Sequence, residues 1–177
     1  EKLCRAAKNN HVESSFPGEL VSVDTFWFNI KNLGRIYQYT ACDTYSSYGW
    51  AWVYADKTSD NTVDFLKNRI LNTLSGRFIN RILTDQGVEF YSARQKAKLY
   101  CLDELCKKHG IIQTVTKVAH PWTNGYAERL NQTIWEEFYL CRLAHPYSSI
   151  DELNKDLQAF MRVYNHSRRH TGYKLRQ

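Results

Sequence analysis

Segment 20–28, LVSVDTFWF, constrains the fold more than any other stretch of the sequence. It is rich in β-branched and aromatic residues, and apolar side chains fall on both of its faces. A strand of this kind is buried on both sides, so it belongs in the interior of a sheet that helices cover on each face. The sequence therefore predicts an α/β domain built around this strand.

The remaining segments supply neighbours for that strand. Two strand patterns follow it closely and predict a meander, and two short buried strands come later in the chain. These four segments are 36–43, 49–54, 78–85 and 111–115. Apolar residues at helical spacing predict helices between and after them, with Thr58 or Ser59 as one N-cap and a Ser149–Glu152 capping box as another. We therefore expect a mixed sheet of about five strands flanked by helices.

The charge of the chain favours a polyanionic partner. Its 177 residues carry a formal net charge of +6, and the pI is near 9.0. No acid follows Asp156, whereas several basic residues do, and these can neutralise phosphates. They are Arg162, Arg168, Arg169, Lys174 and Arg176. A solvated helix end is an equally good interpretation of any one of them. No apolar run approaches the length of a membrane span, so no membrane association is expected.

Two acids occupy informative positions on the predicted strands. Asp24 lies inside the apolar strand, where an ionised carboxylate is costly unless it is paired, hydrogen-bonded or bound to a metal. Asp85 comes directly after a strand, and Gly87 lets the chain turn just beyond it. Taken alone, Asp85 is typical of a turn-forming residue, and Asp24 is also compatible with a partly exposed strand position.

A third acid, Glu128, lies in the first turn of a predicted helix. That helix carries an apolar stripe of Tyr126, Leu130, Ile134 and Phe138. Glu128 lies off the stripe, where it also complements the helix dipole, so by itself it needs no further role. A strand interior, a strand end and a helix start can nevertheless converge at one edge of a sheet. Three carboxylates gathered there would repel one another and would suit Mg²⁺ or Mn²⁺.

Four sequence blocks together resemble a known superfamily. GELVSVDTF, TDQGVEF, HPWTNGYAERLNQT and YNHSRRH look, in that order, like the core blocks of the DDE transposase and retroviral integrase superfamily. The residues of these blocks are most like those of bacterial insertion-sequence transposases, with retrotransposon integrases as the nearest alternative. The resemblance implies a ribonuclease H-like fold, with a linker or arm at 1–17, an integrase catalytic core at 18–170 and a basic tail at 171–177.

The resemblance also implies a site and a reaction. Asp24, Asp85 and Glu128 match the catalytic acids, which would hold two Mg²⁺ or Mn²⁺ ions for cleavage of element DNA ends and strand transfer into target DNA. Two departures are Gln86, where the family usually has Asn, and a step of 43 residues from Asp85 to Glu128 that is longer than usual. Asp43 and Glu89 are at best supporting residues.

The segment around Glu128 and the C-terminal basic residues are expected to contact DNA. The predicted contact residues are Lys117, His120, Trp122, Asn124, Arg129, Asn131, Arg168 and Arg169. Plain packing is an equally good interpretation of Trp122. The expected partners are element-end and target DNA and further copies of the chain, as a homodimer or higher oligomer, without a small-molecule substrate.

Two other functions remain open at this point. One is a ribonuclease H-like nuclease without strand transfer, and the other is a DNA-binding or oligomerisation module that has lost its chemistry. The five scattered cysteines suggest reduced thiols, so a cytoplasmic, nucleoid-associated protein is expected. A retroelement protein would instead be nuclear.

Overall fold

A three-layer α/β/α arrangement is found in the computed structural model. The residues that the structure describes are 5–6, 14–74, 78–85, 87, 89–90, 100–116, 124–142 and 145–168. Within them, the strands are β1 (Arg5–Ala6), β2 (Leu20–Ile30), β3 (Gly34–Asp43), β4 (Gly49–Tyr54), β5 (Arg81–Thr84) and β6 (Ile112–Val115). The helices are α1 (Ser59–Asp64), α2 (Tyr100–Lys108), α3 (Gly125–Ile134) and α4 (Ile150–His166).

The sheet is mixed, as predicted. Its strand order is β1-β6-β5-β2-β3-β4, with antiparallel pairing from β2 to β4 and parallel pairing from β2 through β5 and β6 to β1. The five predicted strands are all present. The two-residue β1 adds a short sixth strand from within the predicted arm. The apolar segment β2 is central, because β3 covers one edge and β5 the other.

Each face of the sheet packs against its own helices. Val21, Val23 and Tyr39 lie in a cluster with apolar residues of α1 and α2. Phe28 and Ile36, at alternate positions of the same strands, lie in a second cluster with α3 and α4. Because successive strand residues point to opposite faces, Asp24 falls on the side that α3 covers.

The helix starts follow the predicted capping residues. Thr58 accepts a hydrogen bond from the backbone N–H of Asn61 at 3.3 Å, and Ser149 accepts one from that of Glu152 at 3.1 Å. The Glu152 carboxylate reaches back to the backbone N–H of Ser148 at 2.8 Å, one residue before the cap. Both α1 and α3 run on into π-helical turns, at Phe65–Ile70 and Trp135–Tyr139.

One predicted stripe needs correction. Leu130, Ile134 and Phe138 are buried, but Tyr126 is exposed and Ala127 takes its place against the sheet. Steps of four residues drift by about 40° around a helix, so a stripe extended back to residue 126 leaves the buried side. No helix in the described ranges is both long and apolar enough to cross a membrane.

Candidate active site

Asp24 lies at the bottom of a groove between the sheet and α3. Thr40 of β3 is its cross-strand partner, and the side-chain amide of Asn131 donates a hydrogen bond to its Oδ2 at 2.7 Å. The groove has a volume of about 310 Å³ and is lined by Asp24, Phe26, Glu128, Asn131, Gln132 and Trp135. Two of the three predicted acids, Asp24 and Glu128, therefore line one groove.

The surroundings of Asp24 disfavour its negative charge. Burial is the largest cause that raises its pKa, from 3.8 to about 6. The charges of Asp85 and Glu128 raise it further, while hydrogen bonds from the backbone of Thr25 and the side chain of Asn131 lower it. The three carboxylates therefore lie within electrostatic reach of one another, although they come from three different elements.

Asp85 reaches the site from the neighbouring parallel strand. Leu83 of β5 pairs with Ser22 of the parallel strand β2. Asp85 lies two residues after Leu83, and Asp24 lies two residues after Ser22. One carboxylate oxygen of Asp85, Oδ1, accepts a hydrogen bond from the backbone N–H of Gly87 at 2.8 Å. Asp85 is thus a turn-forming residue, as its local sequence indicates, and its charge from that turn raises the pKa of Asp24.

Gly87 is required where this turn passes another buried acid. A Cβ atom at position 87 would lie 2.5 Å from Oε2 of Glu89 and 2.7 Å from its Cδ. The carboxylate of Glu89 is fully buried and lies 2.8 Å from the ammonium of Lys57, measured from Oε1 to Nζ. Glu89 is therefore neutralised inside the protein and supports the Asp85 turn by contact.

Glu128 is brought to the groove by the packing of α3. Ala127, Leu130 and Ile134 are buried against the sheet, and Glu128, one position off this buried side, is exposed. Asp24 and Glu128 in the groove and Asp85 at the neighbouring strand end supply carboxylate oxygens and negative charge, a donor set that fits a hard divalent cation. Within the described ranges, no three His, Cys, Asp or Glu side chains are already close enough to enclose a metal ion. The carboxylates would have to turn toward one another to hold one.

Asn124 and Asn131 do not have the predicted DNA-contacting role. Asn124 is only 5% exposed; its Oδ1 accepts from the Ser22 hydroxyl, and its Nδ2 donates to the carbonyl of Val23 at 3.2 Å. Asn131 is also buried, and its side-chain amide hydrogen-bonds to Asp24 and to side chains of β3. Both side chains fasten α3 to the sheet because their positions lie on the buried side of the helix.

The other predicted DNA-contacting residues divide into two groups. Lys117, His120, Trp122 and Arg169 lie outside the described residues. Arg129 is exposed next to Glu128 and is available to an anionic ligand. Arg168 pairs with the carboxylate of Glu137 and lies over the ring of Tyr164, 5.7 Å from its centroid, so its charge is partly neutralised within the protein.

Asp43, weighed as a supporting acid, belongs to a turn. It is buried, and its carboxylate accepts hydrogen bonds from the backbone N–H groups of Gly18 and Ser46, each at 3.0 Å, and from the Ser46 hydroxyl. Its cross-strand partner is Val21, three residues before Asp24. Asp43 therefore ties β3 to the start of β2 and does not join the three acids.

Comparison with known proteins identifies the family of this chain. A family model described as the integrase core domain matches residues 15–121, and a second of the same description matches residues 109–176. A retrovirus-related Pol polyprotein from transposon TNT 1-94 of Nicotiana tabacum is 34% identical over 88 residues. That match covers 49% of this chain and 6% of the polyprotein, so this chain spans a small part of its relative. This retrovirus-related relative comes from a transposon, in line with retrotransposon integrases, the nearest alternative in the sequence analysis.

Solved structures share the fold. The simian T-cell lymphotropic virus intasome in complex with PP2A regulatory subunit B56 gamma gives a TM-score of 0.73 at 20% identity, over 93% of this chain and 54% of that one. The HTLV-2 integrase catalytic core domain in complex with magnesium, in its dimeric form, gives 0.65 at 20% identity, over 88% and 92%. The BIV integrase catalytic core gives 0.60 at 19% identity, over 88% of each chain. The predicted ribonuclease H-like fold is confirmed.

Proposed function

This chain belongs to the integrase core domain family, and from that membership we propose a metal-dependent enzyme that cleaves element DNA ends and joins them to target DNA. Such a reaction attacks a phosphodiester in line, first with water and then with the released 3′-hydroxyl. One site can serve both steps, because each step replaces one oxygen substituent on phosphorus by another.

The observation that carries this proposal is the uncompensated charge around Asp24. Asp85 and Glu128 both raise its pKa, and no Lys or Arg of the described ranges forms an ion pair with it. Carboxylates that repel one another in a partly buried groove are stabilised by a cation from outside. Asp24, Asp85 and Glu128 would hold Mg²⁺ or Mn²⁺, two ions per site, which when bound would supply Lewis-acid activation of the attacking and leaving oxygens.

The chain's own residues supply position and selectivity in this scheme. Asn131 holds Asp24 by its amide, and the Gly87 turn holds Asp85. Arg129 would pair with a DNA phosphate, and its exposure beside Glu128 supports this role. Phe26 and Trp135 form the apolar part of the groove lining beside the acids.

The test is an assay of end cleavage and strand transfer with Mg²⁺ or Mn²⁺, using the longest form of the protein that contains this chain. Asp85→Asn should reduce both reactions by at least about a hundredfold, because it removes a charge that the reaction needs. Asp151→Asn is the matched control, since Asp151 is an exposed acid in the first turn of α4. Circular dichroism should show that both variants keep the fold.

Other outcomes separate the alternatives. Undiminished metal-dependent activity in Asp85→Asn would remove the proposal. Metal-dependent hydrolysis without any joined product would favour a nuclease on this fold. DNA binding with no metal-dependent chemistry in the unsubstituted protein would favour a binding module.

The assembly and its surroundings are part of the same proposal. The domain limits remain 1–17, 18–170 and 171–177, with the middle segment as the catalytic unit. Element-end and target DNA are the partners, and two or more copies of the chain act together, in keeping with the dimeric and trimeric forms of the HTLV-2 core. A retrotransposon origin, as in the tobacco relative, would place the reaction in the nucleus, and a bacterial origin would place it in the cytoplasm.

A further inference from the structure

A network of hydrogen-bonded polar side chains crosses the apolar cluster under α3 and ends at Asp24. Gln38 and Thr40 of β3 are fully buried, and the hydroxyl of Tyr139 is buried beneath them. Phe28, Ile36 and Leu130 belong to the same apolar cluster as Tyr139. Polar groups buried this deeply are costly unless every hydrogen bond is made.

The hydrogen bonds of this network all run in one direction, from Tyr139 to Asp24. The Tyr139 hydroxyl donates to Oε1 of Gln38 at 2.7 Å. Nε2 of Gln38 then donates to the Thr40 hydroxyl and to Oδ1 of Asn131, each at 3.0 Å. The Thr40 hydroxyl donates to the same Oδ1 at 2.6 Å, and Nδ2 of Asn131 donates to Oδ2 of Asp24 at 2.7 Å.

This direction allows only one orientation of the Asn131 amide. Its Oδ1 receives two donors, from Gln38 and Thr40, and its Nδ2 faces a carboxylate. If the amide were flipped, its N–H groups would face the donors of Gln38, and its oxygen would face an oxygen of Asp24. Both contacts would be repulsive. The Asp24 carboxylate, which when ionised can only accept, fixes the orientation in which Asn131 donates to it, and the donors of Gln38 and Thr40 match and reinforce that orientation.

We propose that Gln38, Thr40 and Tyr139 are positioning residues that lock the Asn131 amide and thereby hold the Asp24 carboxylate in place for the proposed reaction. The proposal rests on the function proposed above for Asp24. The lock also bears on Glu128, because Asn131 lies one turn after it in α3. Fixing Asn131 over Thr40 sets how the helix lies on β2 and β3, and Glu128 is carried by that helix.

A pair of substitutions at Thr40 separates positioning from packing. Thr40→Val keeps the shape and removes the hydroxyl, whereas Thr40→Ser keeps the hydroxyl and removes a methyl group. If the hydroxyl is what matters, Thr40→Val should weaken Mn²⁺ binding by about tenfold, and Thr40→Ser should leave it near the unsubstituted value. Titration calorimetry or Mn²⁺ electron paramagnetic resonance measures this affinity without DNA or turnover.

A second pair of substitutions tests the far end of the polar network, at Tyr139. Tyr139→Phe removes the donor to Gln38 and should also weaken Mn²⁺ binding, by a smaller factor. Tyr147→Phe is its matched control: Tyr147 is buried in the same cluster and lies near Tyr139, but its hydroxyl bonds to Asp156 at 3.2 Å rather than to Gln38. Tyr147→Phe should leave Mn²⁺ affinity unchanged, although it too loses a buried hydrogen bond.

Nuclear magnetic resonance of the Asn131 side-chain amide reports on the lock directly, in the absence of metal. The amide protons should exchange slowly in the unsubstituted chain and in Thr40→Ser, and at least about tenfold faster in Thr40→Val. Equal exchange in all three proteins would overturn the proposal, as would a Thr40→Ser variant that loses as much affinity as Thr40→Val.

These readouts keep the two proposals apart. A chain that fails to process DNA but shows the slow, Thr40-dependent amide would contradict the proposed function and leave the lock standing. An active protein in which removal of the Thr40 hydroxyl changes neither the exchange of the Asn131 amide protons nor the Mn²⁺ affinity would contradict only the proposed positioning role.

Discussion

Each face of the sheet contains an acid, and only one of the two has a positive partner: Glu89 is buried and paired, whereas Asp24 is half-buried and unpaired among the described residues. On the α1 side, Glu89 lies 2.8 Å from the ammonium of Lys57. On the α3 side, Asp24 receives only uncharged donors and is repelled by Asp85 and Glu128. Glu89 has its positive partner within the folded chain, whereas Asp24 still lacks one among the described residues.

This difference separates a structural acid from one kept ready for a ligand. A buried ion pair contributes to the shape of the protein, and losing one partner leaves a charge without compensation. A buried acid without a cation lowers stability until something positive binds. The two regions should therefore respond to charge removal with opposite signs.

The largest expected effect comes from breaking the pair on the α1 side. Lys57→Met should lower the free energy of unfolding by about 3–5 kcal/mol, because it leaves the fully buried carboxylate of Glu89 unpaired. Urea denaturation measures this loss. The double substitution Lys57→Met with Glu89→Gln should recover most of it, and an equally unstable double variant would show that the pair contributes little.

The next effect has the opposite sign. Asp24→Asn should raise the unfolding free energy by about 3 kcal/mol at pH 8 in EDTA, since the pKa of Asp24 is raised from 3.8 to about 6 by burial and by neighbouring acids. Asn can still accept the hydrogen bond from Asn131. Added Mg²⁺ should stabilise the unsubstituted chain but not this variant.

The gain from Asp24→Asn should depend on pH in a defined direction. Because the folded chain binds the Asp24 proton more tightly than the unfolded chain, the stability linked to that proton is present below about pH 4. It is lost as the pH rises through about 6. The difference between the two proteins in EDTA should therefore be small near pH 4 and level off above pH 7. A difference that is independent of pH would contradict the assigned burial of Asp24.

The smallest effect concerns a buried acid that is satisfied by hydrogen bonds alone. Ser46→Ala removes one donor to the Asp43 carboxylate and leaves the backbone donors of Gly18 and Ser46 in place. It should cost about 1 kcal/mol in urea denaturation and leave Mn²⁺ affinity unchanged. A change in Mn²⁺ affinity would show that Asp43 is linked to the metal site after all.

Features governed by local sequence were predictable. The bounds of β4 match the pattern GWAWVY, and Thr58 and Ser149 cap their helices as expected. The family match confirms the resemblance that the four blocks indicated. Periodicity placed Glu128 off the buried side of α3, and the structure exposes it there.

Features that depend on contacts distant in sequence were not predictable. Lys57 and Glu89 show no local pattern that pairs them. Asn124 and Asn131 read as surface groups, because a polar residue on a helix usually faces water. The sequence signal for Asn131 was in β3, where the polar pair Gln38 and Thr40 interrupts an apolar strand.

The hydrogen bond between Asn131 and Asp24 joins residues that are 107 positions apart. A folding chain that has paired β2 with β3 and β5, but has not yet docked α3, holds two of the three acids and lacks the third. Closing so long a loop costs conformational entropy, so we expect α3 to dock after the strands have paired. Cation binding at this site would thus report that the domain has finished folding, and a nascent or partly folded chain would have no assembled centre with which to cut DNA.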